Sequence, residues 1–250
     1  DPMRQGLLFA GTERGAFVSF DDGDTWHALQ LNLPVTSVRD FQVYQNDLIV
    51  ATHGRGFWVI DDISTLRQVD DALLAEDAHL FKPGDALFYA GGGDEGTPVQ
   101  KDEPQAENAP NGAALDYYLH SEPSGPVTLE ILDAAGTVVH TFSSAQTAAP
   151  ALPAGRRRPD GIPNTTALWR PAPEPFSAAA GMHRVVWFPV KDQPAGRRGG
   201  GRRARTPLTG SFTARLTVNG KTYTQPFTVK PDPRVGEITL EDDSNDDDAY

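Results

Sequence analysis

The stretch LLFAGTERGAFVSFDD (residues 7–22) returns as DLIVATHGRGFWVIDD (47–62). Each copy is an apolar run, a threonine, a Gly/Arg turn, a second apolar run and an Asp-Asp pair. Thr12 answers to Thr52, Phe17 to Phe57 and Asp21-Asp22 to Asp61-Asp62, all at one offset of 40. Apolar runs joined by ERG and HGR predict antiparallel hairpins, with glycine supplying the positive φ that tight turns demand. The expected strands are 7–12, 16–20 and 26–30 in the first unit, and 38–44, 48–52 and 56–60 in the second. A several-stranded unit recurring at this period stacks on its next copy, as blades do in a β-propeller.

The first hairpin runs into SFDDGDTW (19–26). Ser19, Asp21, Gly23, Thr25 and Trp26 have the types and spacing of a self-bonding turn. A short Asp accepts hydrogen bonds from turn amides, and Gly23 takes a backbone conformation that other residues avoid. The Thr25 hydroxyl closes the turn, and Trp26 is expected to bury a large surface beside the hairpin. The expected role is structural; a cation site at Asp21, Asp22 and Asp24 is the alternative. The second copy, VIDDISTL, keeps Asp61-Asp62 but has neither the glycine nor the tryptophan.

Ser19-x-Asp21-x-Gly23-x-Thr25-Trp26 resembles the Asp-box of BNR-type propellers. With LNLPVTSVRDF and LIVATHGRGFWVIDD, it is similar to the closing blades of bacterial sortilin/BNR-repeat proteins, many of them labelled glycosyl hydrolases. That resemblance covers residues 1 to about 75 closely and a trailing Ig-like or fibronectin-like domain more loosely. It implies an all-β fold: the last one to two blades of a propeller, then an Ig-like β-sandwich with long Pro/Gly/Arg-rich loops. It also implies further blades, as a separate chain or an upstream segment. DPMRQGLLFAG shows no signal peptide and enters a strand at once, which is the look of a cut inside a longer protein.

The expected division is blades over 1–75, a linker and loop over 76–114, a sandwich over 115–232 and an acidic tail over 233–250. From residue 115 the alternation VTLEILDAAGTVVHTF, HRVVWFPV and SFTARLTVNGKTYTQPFTV predicts strands, with DAAG and NG as hairpin turns. A last strand and a short helical linker are expected within 62–80. Two insertions rich in Pro, Gly, Ala and Arg, about 143–181 and 192–207, read as long surface loops. Trp169 and Phe176 in the first suggest that it packs.

The net charge of −12 and isoelectric point near 4.8 disfavour nucleic acid as a partner of the whole chain, since phosphate would be repelled. The chain has no cysteine, hence no disulfide and no thiolate ligand or nucleophile. No apolar run is long enough to span a membrane. GGGDEG (91–96) has the glycines of a dinucleotide loop, but Thr97-Pro98 follows where a helix is required. The six histidines are scattered and no G-x-S-x-G occurs. No catalytic residue is assigned.

His53 and Arg55 form a candidate ligand-facing turn, at the end of a strand where a propeller end or channel would lie. The basic run GRRGGGRRAR (196–205) reads as a solvated loop or a surface for an acidic partner. The tail EDDSNDDDAY offers hard oxygen ligands, and Asp242, Asp243, Asp246 and Asp247 are candidate weak Ca²⁺ ligands; no other cofactor is expected. The reading is a non-catalytic binding or structural portion of an exported propeller protein: secreted, periplasmic or on a bacterial surface, with a polysaccharide or protein ligand. A secreted glycoside hydrolase with its carboxylates in upstream blades, and a subunit of an extracellular assembly or oligomer, are the alternatives.

Overall fold

A computed structural model describes residues 1–88, 112–146, 176–190 and 208–233, and the fold is all-β. Strands β1 (Leu8–Thr12), β2 (Gly15–Ser19) and β3 (His27–Ala28) form one antiparallel sheet; β4 (Val38–Tyr44), β5 (Asp47–Thr52) and β6 (Phe57–Ile60) form a second. The repeat holds down to single hydrogen bonds. The Thr12 hydroxyl donates to the Gly15 carbonyl (3.0 Å) and the Thr52 hydroxyl to the Gly56 carbonyl (2.7 Å). The HGR tip therefore encloses one residue more than the ERG tip, and the register slips by one. Ala10 lies opposite Phe17, whereas Val50 lies opposite Trp58. Ala16 and Val18 of β2 thus correspond in space to Phe57 and Val59 of β6.

The two sheets stack. Phe9, Val18, Gly11 and Ala16 share one face of the first sheet; Leu48, Ile60, Val50 and Trp58 share one face of the second. Between them lies a core of Ala16, Leu33, Val38, Leu48, Val50 and Ile63, with Phe9 and Phe41 in ring contact at 6.1 Å. Complete burial of a side chain such as Leu48 contributes about 2 kcal/mol. Gly11 is where the strands pass closest: a Cβ there would lie 2.8 Å from Val38 Cγ1 and 2.9 Å from the Val38 carbonyl.

After the short helix α1 (Asp71–Leu74), whose first turn is capped by the Asp70 carboxylate on the Leu73 amide (2.8 Å), the chain builds a two-sheet sandwich. Its strands are β7 (Ala78–Leu80), β8 (Ala86–Phe88), β9 (Ala113–Leu119), β10 (Thr128–Leu132), β11 (Val138–Ser143), β12 (Gly181–Trp187), β13 (Gly210–Val218) and β14 (Lys221–Pro231). The sheet orders are β12-β9-β7 and β11-β10-β13-β14-β8, with β14 and β8 parallel and the other pairs antiparallel. Leu80, Leu115, Tyr117, Leu129, Ile131, Trp187 and Leu216 fill the space between the sheets. Residues 78–80 and 86–88, read from sequence as linker, are sandwich strands; each is only three residues long, too short to show alternation.

Both foreseen turns form. Asp133 accepts the amides of Ala135 and Thr137, each at 2.9 Å, and Asn219 and Gly220 take φ of 48° and 78°, the two left-handed positions of a tight hairpin. Phe176, at the end of the first insertion, meets Tyr117 with tilted rings 5.1 Å apart and stacks on Phe142 at 5.9 Å. Trp169, most of the first insertion, all of the second, GGGDEG and the acidic tail lie outside the described residues.

The sandwich is clamped to the stacked sheets by a charge in an apolar strand. Ala113, Leu115, Tyr117 and Leu119 of β9 face the sandwich core, so alternation sends Asp116 to the other face. Asp116 is nevertheless 7% exposed, because Arg184 and Thr65 cover it. Arg184 stands directly opposite on β12 and binds both carboxylate oxygens, at 2.7 and 2.8 Å. Two further N–H groups donate to the main-chain carbonyls of Asp61 and Asp62 just after β6, the latter at 2.7 Å. The Thr65 hydroxyl donates to the same carboxylate. Val69, Leu73 and Phe81, with Phe20 and Tyr118, make an apolar cluster beside this bridge. Burial alone would lower the Arg184 pKa, but the hydrogen bonds and charge of Asp116, with Asp62 and Asp61, raise it above the usual value.

Candidate functional site

Successive connections of an antiparallel meander alternate between the two ends of the sheet. The β2–β3 and β4–β5 turns and the segment after β6 lie at one end. The β1–β2 tip, the β5–β6 tip and the β3–β4 connection lie at the other. The first end holds the acidic turn and the clamp to the sandwich; the second is free of the clamp.

In the acidic turn every oxygen of Asp21 is used internally. Oδ1 accepts from the Ser19 hydroxyl (2.7 Å) and the Thr25 amide (2.9 Å), and Oδ2 from the Thr25 hydroxyl (2.6 Å). Ser19, fully buried, also accepts the Gly23 amide at 2.9 Å. Asp22 and Gly23 take φ of 62° and 98°; the equivalent of Asp22 in the second unit, Asp62, has φ of 53°. Trp26 differs from expectation. It is 42% exposed: β3 is only two residues long, and the indole lies over Gly23, with Cζ2 at 3.8 Å from where a Cβ would be, rather than under a neighbouring strand.

The bonds from Thr25, first the hydroxyl and then the amide, followed by Ser19, hold the Asp21 carboxyl at about 2, below its ordinary 3.8. A depressed folded-state value means that this stabilisation is fully present above pH 3.8 and is lost as pH falls toward 2. A carboxyl-detected NMR titration is expected to show Asp21 turning near 2, with the Thr25 amide following the same curve. A midpoint near 3.8 would mean the turn bonds are not made in solution. Asp61, in the second copy, shifts the other way: burial and then the nearby Asp47 raise its pKa, opposed by Arg184.

At the free end, His53 and Arg55 project from the β5–β6 tip. The backbone beneath them is fixed. The His53 amide donates to the Ser37 carbonyl (2.8 Å), the Thr36 hydroxyl to the His53 carbonyl (3.3 Å) and the Trp58 indole to the Arg55 carbonyl (3.0 Å). Gly54 and Gly56, at φ 79° and 68°, turn the chain. Both side chains are exposed and make no hydrogen bond or ion pair among the described residues. On the neighbouring tip Glu13 pairs with Arg39 at 3.0 Å, tying the β1–β2 tip to β4. The β3–β4 connection, closed by the Gln30 amide on the Leu33 and Pro34 carbonyls (2.6 and 3.2 Å), presents Leu31 and Val35, 73% and 70% exposed. Leu31 sits at φ 41°, a strained position for a residue with a γ-branch.

The sequence placed His53 and Arg55 on a turn, and the structure has both exposed at the β5–β6 tip; it did not single out Leu31 and Val35, although an apolar pair flanking Asn32-Leu33-Pro34 in a connection was a usable signal. Among the described residues no group of three His, Asp or Glu stands close enough to hold a metal ion. Asp242, Asp243, Asp246 and Asp247 lie outside them. The sandwich carries a separate open groove of about 540 Å³ between Lys82–Asp85, the Asp133 turn and β13–β14. Phe212 and Phe227 line it but are 6% and 5% exposed, so it offers no aromatic platform.

Among the described residues no helix is long and apolar enough to cross a membrane. No family model and no curated protein matches the sequence. One solved structure is similar: PorZ, described as an essential bacterial surface component of the type-IX secretion system of Porphyromonas gingivalis. It has 11% identity and a TM-score of 0.26, over 90% of this chain and 29% of that one. The chain thus spans under a third of PorZ's length, and at that score nothing about this fold is carried over from it.

Proposed function

We propose that the chain is the non-catalytic structural and ligand-presenting C-terminal portion of an exported, multi-bladed propeller-like protein, secreted, periplasmic or held at a bacterial surface. The observation that carries this reading is an uncovered sheet face. In the first sheet the face bearing Phe9, Gly11, Ala16 and Val18 is covered by the second sheet. The corresponding face of the second sheet bears Ile49, Ala51, Phe57 and Val59 beside Asp40 and Gln42 of β4, with Phe57 79% and Val59 51% exposed. A stack built by repetition presents this face to a further sheet, and exposed apolar area of this kind marks interaction surfaces. The remaining blades, upstream or on a separate chain, are the partner proposed for it. The acidic turn is the folding device that closes the β2–β3 connection of the first unit, and His53 and Arg55 are the ligand-facing positions toward a polysaccharide or protein.

Phe57→Asp tests this. In the 250-residue chain alone the melting temperature is expected to move by no more than about 2 °C, because an exposed side chain changes stability little. In the assembled native protein the same change is expected to weaken association roughly 100-fold, as loss of a central aromatic anchor does, read as dissociation in native mass spectrometry. Unchanged assembly would refute the covered-face reading. Release of sugar from a polysaccharide panel by the intact protein would refute its non-catalytic part.

A further inference from the structure

The two sheets differ in one lane. In the first, β3 lies antiparallel on β2, with Val18 opposite His27 and Phe17 opposite Ala28, and the Leu29 amide donates to the Ala16 carbonyl at 2.9 Å. In the second, β6 is the last strand and its outer lane is empty among the described residues. The Thr52 amide donates to the Gly56 carbonyl at 3.2 Å. Strict alternation then turns the main chain of Gly56, Trp58 and Ile60 toward β5, and that of Phe57 and Val59 away from it. Phe57 and Val59 are the spatial counterparts of Ala16 and Val18, the residues whose outward groups β3 satisfies. No hydrogen bond reaches their outward groups among the described residues.

An open edge is ordinarily blunted by a charge, a proline or a bulge. Phe57-Trp58-Val59-Ile60 has none of these, and its pairing with β5 is regular. We infer that β6 is a strand-acceptor edge. It takes one extended, antiparallel segment of the β3 kind, donated by a repeat unit outside these 250 residues. Main-chain bonds to Phe57 and Val59 supply the affinity, and an apolar residue at the Leu29 position stands beside Phe57, as Leu29 stands beside Ala16 in the shared core of the stacked sheets. This deepens the assembly reading and rests on it, but it concerns the edge of the second sheet and not its face.

The probe is the peptide DTWHALQ (residues 24–30), added to the full chain while amide exchange is followed by NMR. Exchange of the Phe57 and Val59 amides is expected to slow by about fivefold or more at saturation, the response of an open amide that gains a partner. A peptide carrying Leu29→Pro, which removes the donor to the Phe57 carbonyl, is expected to have no effect. No slowing with either peptide, or equal slowing with both, overturns the inference. So does protection that rises with protein concentration in the absence of peptide, since a second copy would then hold the edge. None of these outcomes touches the Phe57→Asp test of the face, so the two readings fail separately.

Discussion

Replacing Arg184 by Met is expected to destabilise the protein by about 3 kcal/mol. The change leaves the Asp116 carboxylate buried without its counter-charge and two main-chain carbonyls without donors. Breaking a buried pair from one side costs roughly 3–5 kcal/mol, and the low end applies because the Arg184 side chain is 34% exposed. For a chain of this size that is a fall in melting temperature of roughly 6–12 °C. Removing both charges, with Arg184→Met and Asp116→Leu together, is expected to recover most of the loss, because an apolar pair avoids the desolvation of both ions. The double-mutant cycle is therefore predicted to show strong coupling. Loss below about 1 kcal/mol for the single change, the range of surface ion pairs, would mean that the clamp between sandwich and stacked sheets is not made in solution.

Replacing Gly11 by Val is expected to cost about 2–3 kcal/mol, the upper part of the range for overpacking a core, and to loosen the stacking of the two sheets. The clash is with the Val38 carbonyl as well as its side chain, so no rotamer change relieves it. The Phe9–Phe41 ring contact should be lost, visible as ring-current shifts in the NMR spectrum. Gly54→Ala is the control: nothing lies within 4 Å of its Cβ position, and the cost is only that of a left-handed alanine, about 1 kcal/mol. If both changes cost the same, the close crossing of β1 over β4 is wrong.

Much of this fold was legible. The repeat, the hairpins, the DAAG and NG turns and the internal bonding of the acidic turn all follow from residue types at fixed local spacing, and local spacing is what a sequence displays. The one-residue slip between the repeats was hidden, because Thr52 chooses Gly56 over Arg55 only once the tip folds. The exposure of Trp26 was hidden too: its burial depended on the length of β3, not on the turn. The clamp left a partial trace, an acid in ALDYYL and an arginine in HRVVW, both inside apolar runs. Their pairing spans 68 residues, and two of the acceptors are main-chain carbonyls more than 120 residues away, which no side-chain pattern records. Of the candidate site, the tip at His53 and Arg55 was readable from the strand-turn-strand pattern. The strained backbone of Leu31 appears only in the folded connection, and the open edge of β6 only when the two sheets are compared lane by lane.

The measurement that bears most directly on the account is the mass of the material isolated from its source, taken under denaturing and then non-denaturing conditions. The chain contributes 27.0 kDa. The account predicts that under non-denaturing conditions these residues travel in a particle heavier by several further repeat units, with Phe57 and Val59 protected in it and exposed in the isolated chain. A 27.0 kDa monomer under both conditions, with Phe57 and Val59 open to solvent in each, would contradict it.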